Sequence, residues 1–185
     1  SNTPTVTLQA PSGGITLTGS SVIVSWAAMD VDNDDLTFSL DYSADGGATW
    51  NPLSAQVPST TVSINLNQLP GSPTGKFRVW VSDGVNTAYA ETNGTFAVAN
   101  KAPQINAVSP VSGTTYVVSQ TISFEVEAYD VEDGVPPDDH ITWTSDLDGV
   151  LATGALLQID MLSLGTHSIT LTVHDNQNVI TTTTL

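Results

Sequence analysis

The chain contains no cysteine, and only three basic residues, Lys76, Arg78 and Lys101, stand against nineteen acidic ones. The first absence removes disulfides and thiolate metal sites from consideration. The second removes nucleic acid as a partner, because phosphate neutralisation needs clustered Lys and Arg that a chain of net charge −16 does not have. Anionic membrane surfaces are disfavoured for the same reason. No apolar run approaches the roughly 20 residues needed to span a bilayer, so no membrane insertion is expected of this sequence. No signal peptide is visible. Ser1-Asn2 reads as a cloning remnant, and the chain is expected to be a piece of a longer one. No stretch shows helical periodicity rich in Ala, Glu, Lys and Leu.

The sequence does hold abundant Thr, Ser and Val, a β-sheet composition with a polar, uncharged surface. It also repeats itself. SVIVSWAAMD (21–30) and TISFEVEAYD (121–130) place Asp30 and Asp130 at the same point of one pattern. FRVWVSDG (77–84) matches ITLTVHDN (169–176), pairing Asp83 with Asp175, and Pro4 and Pro103 open the two copies. A period this long marks two whole domains, drawn as 1–99 and 100–185. The linker around Val98–Pro103 is short enough to restrict bending.

Within each copy the apolar period is two. Ile122, Phe124, Val126 and Ala128 alternate with polar residues, as do Phe77, Val79 and Val81, and Ile169, Leu171 and Val173. One wet and one dry face define an antiparallel sheet of a sandwich. Turn signals such as Pro11-Ser12-Gly13-Gly14, Asp45-Gly46-Gly47, Pro70-Gly71, Asp83-Gly84 and Asn93-Gly94 recur about every 8–12 residues. The expected fold is all-β, two tandem immunoglobulin-like antiparallel sandwiches of about seven strands each, with Trp26 in the first core.

Acidic residues crowd into two loops that follow corresponding strands. The first contains Asp30, Asp32, Asp34 and Asp35; the second contains Asp130, Glu132, Asp133, Asp138 and Asp139. Such crowding calls for protonation, spreading into water, or a cation. Calcium takes 6–8 hard oxygen ligands in irregular geometry and is the expected cofactor. Asp83 and Asp175 each end a late strand, at the sandwich pole where the early loop also lies. Asn2 and Asn100 precede the first strand of each copy and could add carbonyl oxygens there. The candidate metal ligands are Asp30, Asp32, Asp34 and Asp83 in the first copy, and Asn100, Asp130, Glu132, Asp133 and Asp175 in the second. The bland alternative is a solvated acidic loop.

These motifs resemble bacterial PKD-like and cadherin-like modules of the immunoglobulin superfamily. The resemblance is carried by Asn100-Lys101-Ala102-Pro103, by Ala28-Met29-Asp30-Val31-Asp32-Asn33-Asp34, and by Val81-Ser82-Asp83 and Val173-His174-Asp175. It implies fibronectin-III-like sandwich modules, calcium at the positions above, and a place in a large secreted or surface-anchored bacterial protein. Lys101 stands where a cadherin linker carries an acid.

The sequence carries three further signals. Ser43-Ala44-Asp45-Gly46-Gly47-Ala48-Thr49-Trp50 matches the Asp-box, a hairpin device known from sialidases; the expectation is structural, with Asp45 bonding turn amides. Trp80 points outward by parity, flanked by Lys76 and Arg78, and is a candidate for stacking on a sugar or anchoring a protein. The competing reading is that the basic stems cover the ring. His140, His167 and His174 lack metal-ligand spacing. No nucleophile elbow or phosphate loop is present, so the chain is read as non-catalytic. Its expected role is a calcium-stabilised spacer or adhesion element, and the alternative is a carbohydrate- or protein-binding accessory module of a secreted hydrolase.

Overall fold

The structure is a computed structural model and describes residues 2–185. It divides into two compact units, Ser1–Asn100 and Lys101–Leu185, one residue away from the boundary drawn at 99/100.

In the first unit, β1 (Thr5–Ala10), β3 (Ser21–Met29) and β6 (Thr61–Asn65) form one sheet in the order β1-β3-β6. The facing sheet runs β2 (Thr16–Leu17), β9 (Phe96–Val98), β7 (Ser72–Ser82), β4 (Thr37–Ser43), β5 (Asn51–Val57), with β8 (Thr87–Glu91) also on β7. All pairings are antiparallel except the short β2–β9 contact. The alternation in the sequence is what drives this. Val24 and Trp26 on β3 and Phe38, Leu40 and Tyr42 on β4 turn inward and are buried, while the alternate residues Ser25, Ser39 and Asp41 lie on the outer faces and are only partly covered. Trp26 meets Phe38 edge-on at 5.4 Å between ring centres.

In the second unit, β10 (Gln104–Ser109), β11 (Ile122–Tyr129) and β14 (Leu156–Ile159) form one sheet. The other runs β13 (Gly149–Thr153), β12 (Ile141–Ser145), β15 (Ile169–His174), β16 (Ile180–Thr184). Phe124 and Trp143 pack edge to face at 5.2 Å across the core, and the Trp143 indole N–H donates to Gly154 O at 3.0 Å. The two first strands carry a register shift at the same place, between Leu8 and Ala10 and between Ala107 and Ser109. The internal repeat is therefore structural down to an irregularity in the first strand. In each unit β3 or β11 delivers its acidic loop to one pole, and β7 or β15 delivers the late aspartate to that same pole. Among the described residues no helix is long and apolar enough to cross a membrane.

Candidate metal centre

In the first unit the loop after β3 turns sharply. Asn33 takes a left-handed φ of 60°, and Asp30 Oδ1 accepts the backbone N–H of Asp32 at 2.8 Å and that of Asp34 at 3.4 Å. This turn brings one carboxylate oxygen from each of Asp30, Asp32 and Asp34 within 4.8 Å of one another. Asp30 is buried at 7% exposure, whereas Asp32 and Asp34 are open to solvent. Among the described residues no donor reaches Oδ2 of Asp30, although that oxygen lies in the interior. A buried polar atom without a partner costs about 1–3 kcal/mol, and more when charged, so this oxygen needs a counterpart.

The chain start and the late turn reach the same pole. Asn2 donates its backbone N–H to Asp32 Oδ2 at 2.5 Å and its side-chain amide to Asp32 Oδ1 at 3.0 Å. These bonds hold the Asp32 carboxyl below the usual carboxylate range, with the charge of Asp83 opposing them. Asp83 Oδ1 accepts from the amides of Val85 at 2.7 Å and Asn86 at 2.5 Å, and the Asn86 side chain bridges Asp83 Oδ2 at 3.0 Å to Asn2 O at 3.4 Å. The domain start, early loop and late turn converge as the repeat pattern requires. Asn2, however, turns N–H donors rather than an oxygen toward Asp32.

The second unit repeats the plan with different partners. Asp130 is 1% exposed; its Oδ1 accepts the amides of Glu132 at 2.8 Å and Asp133 at 2.9 Å, and no described donor reaches its buried Oδ2. Glu132 Oε1 accepts the Lys101 backbone N–H at 3.2 Å and lies 4.0 Å from Lys101 Nζ. Asp133 Oδ2 accepts from Asn176 N at 2.9 Å, and Asp175 Oδ1 accepts from Gln177 N and Val179 N, both at 2.8 Å. Asp130, Glu132, Asp133 and Asp175 thus share a pole, but among the described residues only Asp30, Asp32 and Asp34 bring three carboxylates into one tight group. Asn100 is half-buried and closes the first unit. Asp138 is drawn off by the Val135-Pro136-Pro137 insertion and caps the amide of Ala155 at 3.0 Å.

The donor set fits calcium. It consists of hard carboxylate oxygens in irregular geometry, and one of its members, Asp30, also carries a buried oxygen that no described donor reaches. Lys76 and Arg78 are engaged with carboxylates outside the acidic loops, Glu91 at 3.2 Å and Asp41 at 2.8 Å, while Lys101 reaches Glu132 of the second loop.

Trp80 matches the covered reading rather than that of a free stacking platform. It is half-buried, and its indole N–H donates to Asp41 Oδ2 at 2.9 Å. The Arg78 guanidinium bonds the same oxygen through Nε at 3.1 Å and Nη2 at 2.8 Å, and lies 4.1 Å over Trp50 and 4.9 Å over Trp80. Tyr89 packs beside Trp80 at 4.9 Å. Parity gave the correct face, and Arg78 covers the ring as the competing reading has it; the ring contact from Tyr89 on β8 lies outside what parity gives. The Asp-box behaves as a hairpin clamp. Asp45 accepts Thr49 N at 2.8 Å, Thr49 Oγ1 at 2.6 Å and Ser43 Oγ at 2.7 Å, while the Trp50 indole N–H donates to Gly47 O at 3.0 Å. His140 and His174 stack on each other at 4.0 Å rather than gathering around a metal.

Each unit is thus an immunoglobulin-like β-sandwich carrying an acidic pole, and the chain is a tandem pair of them. No family model matches the sequence, and no curated protein does. Solved structures similar to it include immunoglobulin-domain proteins. The N-terminal four Ig domains of Dscam1 isoform 7.44 align at 15% identity and a TM-score of 0.44, over 98% of this chain and 44% of that one. Those of isoform 6.9 align at 15% identity and 0.43, over 98% and 44%. The N-terminal eight Ig domains of Down Syndrome Cell Adhesion Molecule isoform 1.30.30 align at 14% identity and 0.38, over 94% and 24%. The chain spans less than half the length of these structures.

Proposed function

We propose that the chain is a non-catalytic, calcium-stabilised pair of modules in a larger secreted or cell-surface protein, serving as a spacer or adhesion element. The observation that carries this reading is the buried, donor-free Oδ2 of Asp30 beside the carboxylates of Asp32 and Asp34, with Asp83 brought in by the late turn. A divalent ion there would partner the orphan oxygen and relieve the mutual repulsion of the loop. It would also tie the two ends of the core strands together, which suits an element that must hold its shape under load.

The first unit is the tighter site in this reading. Asp130, Asp133 and Asp175, with Glu132 partly neutralised by Lys101 and with Asn100 as an additional oxygen source, form the weaker one. The PKD-like or cadherin-like kinship and the bacterial surface setting belong to this same proposal, on the strength of the Ala28–Asp34 and Val-x-Asp motifs.

Isothermal titration of calcium into the EDTA-stripped chain tests it. One stronger and one weaker binding event are expected, and the stronger should vanish in D32N/D34N. Absence of any binding heat at millimolar calcium would sink the proposal.

A further inference from the structure

At the opposite pole of the second unit lies a cavity of about 420 Å³, floored by Ile122, Phe124 and Ile169 and walled by residues 110–120 and 162–167. The three floor residues belong to the buried core. The walls, by contrast, expose large apolar side chains: Val117 is 74% exposed, Val118 71% and Leu164 84%.

The first unit reveals what fills the equivalent space. Strand registers align the two units residue by residue. Tyr42 faces Phe77 on β4–β7, and Ser145 faces Ile169 on β12–β15. Thr92 N donates to Phe77 O at 2.9 Å, and Leu185 N donates to Ile169 O at 2.8 Å, so Leu185 holds the place of Thr92. In the first unit the chain runs on from Thr92 through Asn93-Gly94 into β9. That strand pairs parallel with β2, Thr16 to Ala97 and Leu17 to Val98, and antiparallel with the start of β7, Ser72 to Val98 and Gly75 to Phe96. Phe96 is 1% exposed, packed 4.9 Å from Phe77, and Val98 is 5% exposed.

In the second unit the segments equivalent to β2 and to the start of β7, near residues 116–117 and 164–167, form no strands, and the cavity opens between them. The side chains around it have changed as well. Ser145 replaces Tyr42, and His167 takes the position of Gly75, its Nδ1 lying 2.8 Å from Ser145 Oγ. The hollow is therefore not filled by larger residues from the walls.

We propose that this cavity is a strand-acceptor groove, shaped for an extended segment that continues β16 and sets large apolar side chains four and six residues beyond Leu185. The seated strand would pair on one side with residues 114–118 and on the other with residues 164–167, and would cover Ile122, Phe124 and Ile169. Main-chain hydrogen bonds would supply affinity, and the alternating apolar side chains would fix the register.

The test appends a copy of Asn93–Asn100 (Asn-Gly-Thr-Phe-Ala-Val-Ala-Asn) directly after Leu185 in the two-unit chain. A control extension carries serine at the Phe and Val positions. Amide hydrogen exchange is read at residues 114–118 and 164–168. With the apolar extension, exchange there should slow by at least about tenfold, as expected when frayed segments enter a ladder. The serine extension should leave it unchanged. Equal exchange in all three proteins overturns the proposal. The free peptide Asn-Gly-Thr-Phe-Ala-Val-Ala-Asn at about 0.1 mM should protect far less than the joined strand, because a short tether supplies a local concentration in the millimolar range. Equal protection by the free peptide would overturn the assignment to a strand continuous with β16.

Discussion

Replacing Asp30 by Asn and by Ala separates what this carboxylate does for the loop from what it does for a bound ion. Oδ1 of Asp30 holds the turn through the amides of Asp32 and Asp34, the second contact being long. An asparagine oxygen preserves both bonds, while alanine deletes them. At about 1 kcal/mol per hydrogen bond, Asp30→Ala should lose about 1–2 kcal/mol whether or not calcium is present. Asp30→Asn should lose little without calcium, and it removes a negative charge from a crowded site. Its cost should appear only with the ion. For a site of millimolar affinity at tenfold excess calcium, the wild type gains about 1.4 kcal/mol. In a unit of this size that corresponds to a rise in melting temperature of about 6–11 °C. Thermal unfolding followed by circular dichroism, in EDTA and in excess calcium, is the assay. The transition of the first unit should shift upward with calcium in the wild type and not in Asp30→Asn, and in Asp30→Ala it should start lower and stay there, whereas any shift of the second unit should be common to all three. A calcium shift of the first unit in Asp30→Asn equal to that of the wild type, or none in the wild type, would refute the assignment.

Three other outcomes are expected. The Asp45 carboxyl is held well below its usual value of 3.8, chiefly by Thr49 through its hydroxyl and then its amide. Its contribution is therefore complete above about pH 4 and is lost as pH falls further, through the lowered folded-state value. Asp45→Asn should melt below the wild type at neutral pH, with the gap closing as acid is added; a gap independent of pH would contradict this. Trp143→Ala empties the centre of the second core and should cost about 3–5 kcal/mol, enough to unfold that unit while the first stays folded, as read from resolved amide signals. Arg78→Lys keeps the charge but gives up the paired hydrogen bonds to Asp41 Oδ2 and the flat contact with Trp50. It should destabilise the first unit by about 1 kcal/mol and alter tryptophan fluorescence, and an unchanged spectrum would count against the stacked arrangement.

Local periodicity carried far in this chain because the sandwich is built from it. Ile122, Phe124 and Val126 face inward as their spacing demands, and Asp32 comes under the charge of Asp83 because β3 and β7 end at the same pole. What spacing does not carry is the identity of a cross-strand neighbour. The pairing of Trp80 with Tyr89 and of Arg78 with Asp41 is a matter of register between β7 and its neighbours β8 and β4, and register converts an outward tryptophan into a covered one. The same limit applies to the acidic loops. Both read alike as strings of carboxylates, yet Lys101 folds onto Glu132 and Asn176 takes Asp133, whereas Asp30, Asp32 and Asp34 stay grouped. The Asp-box clamp was legible because the bonds made by the Asp45 carboxylate and the Trp50 indole fall within eight consecutive residues.

The commitment of every Lys and Arg side chain to a carboxylate of its own chain also shapes how two such molecules meet. Excess negative charge is left on the surface with no basic patch to answer it, so neighbouring copies repel until mobile ions intervene. At physiological ionic strength that repulsion fades beyond a Debye length of about 8 Å, and in dilute buffer it reaches several times farther. Light scattering should accordingly show a second virial coefficient that is large and positive in low salt and falls steeply as sodium chloride is added.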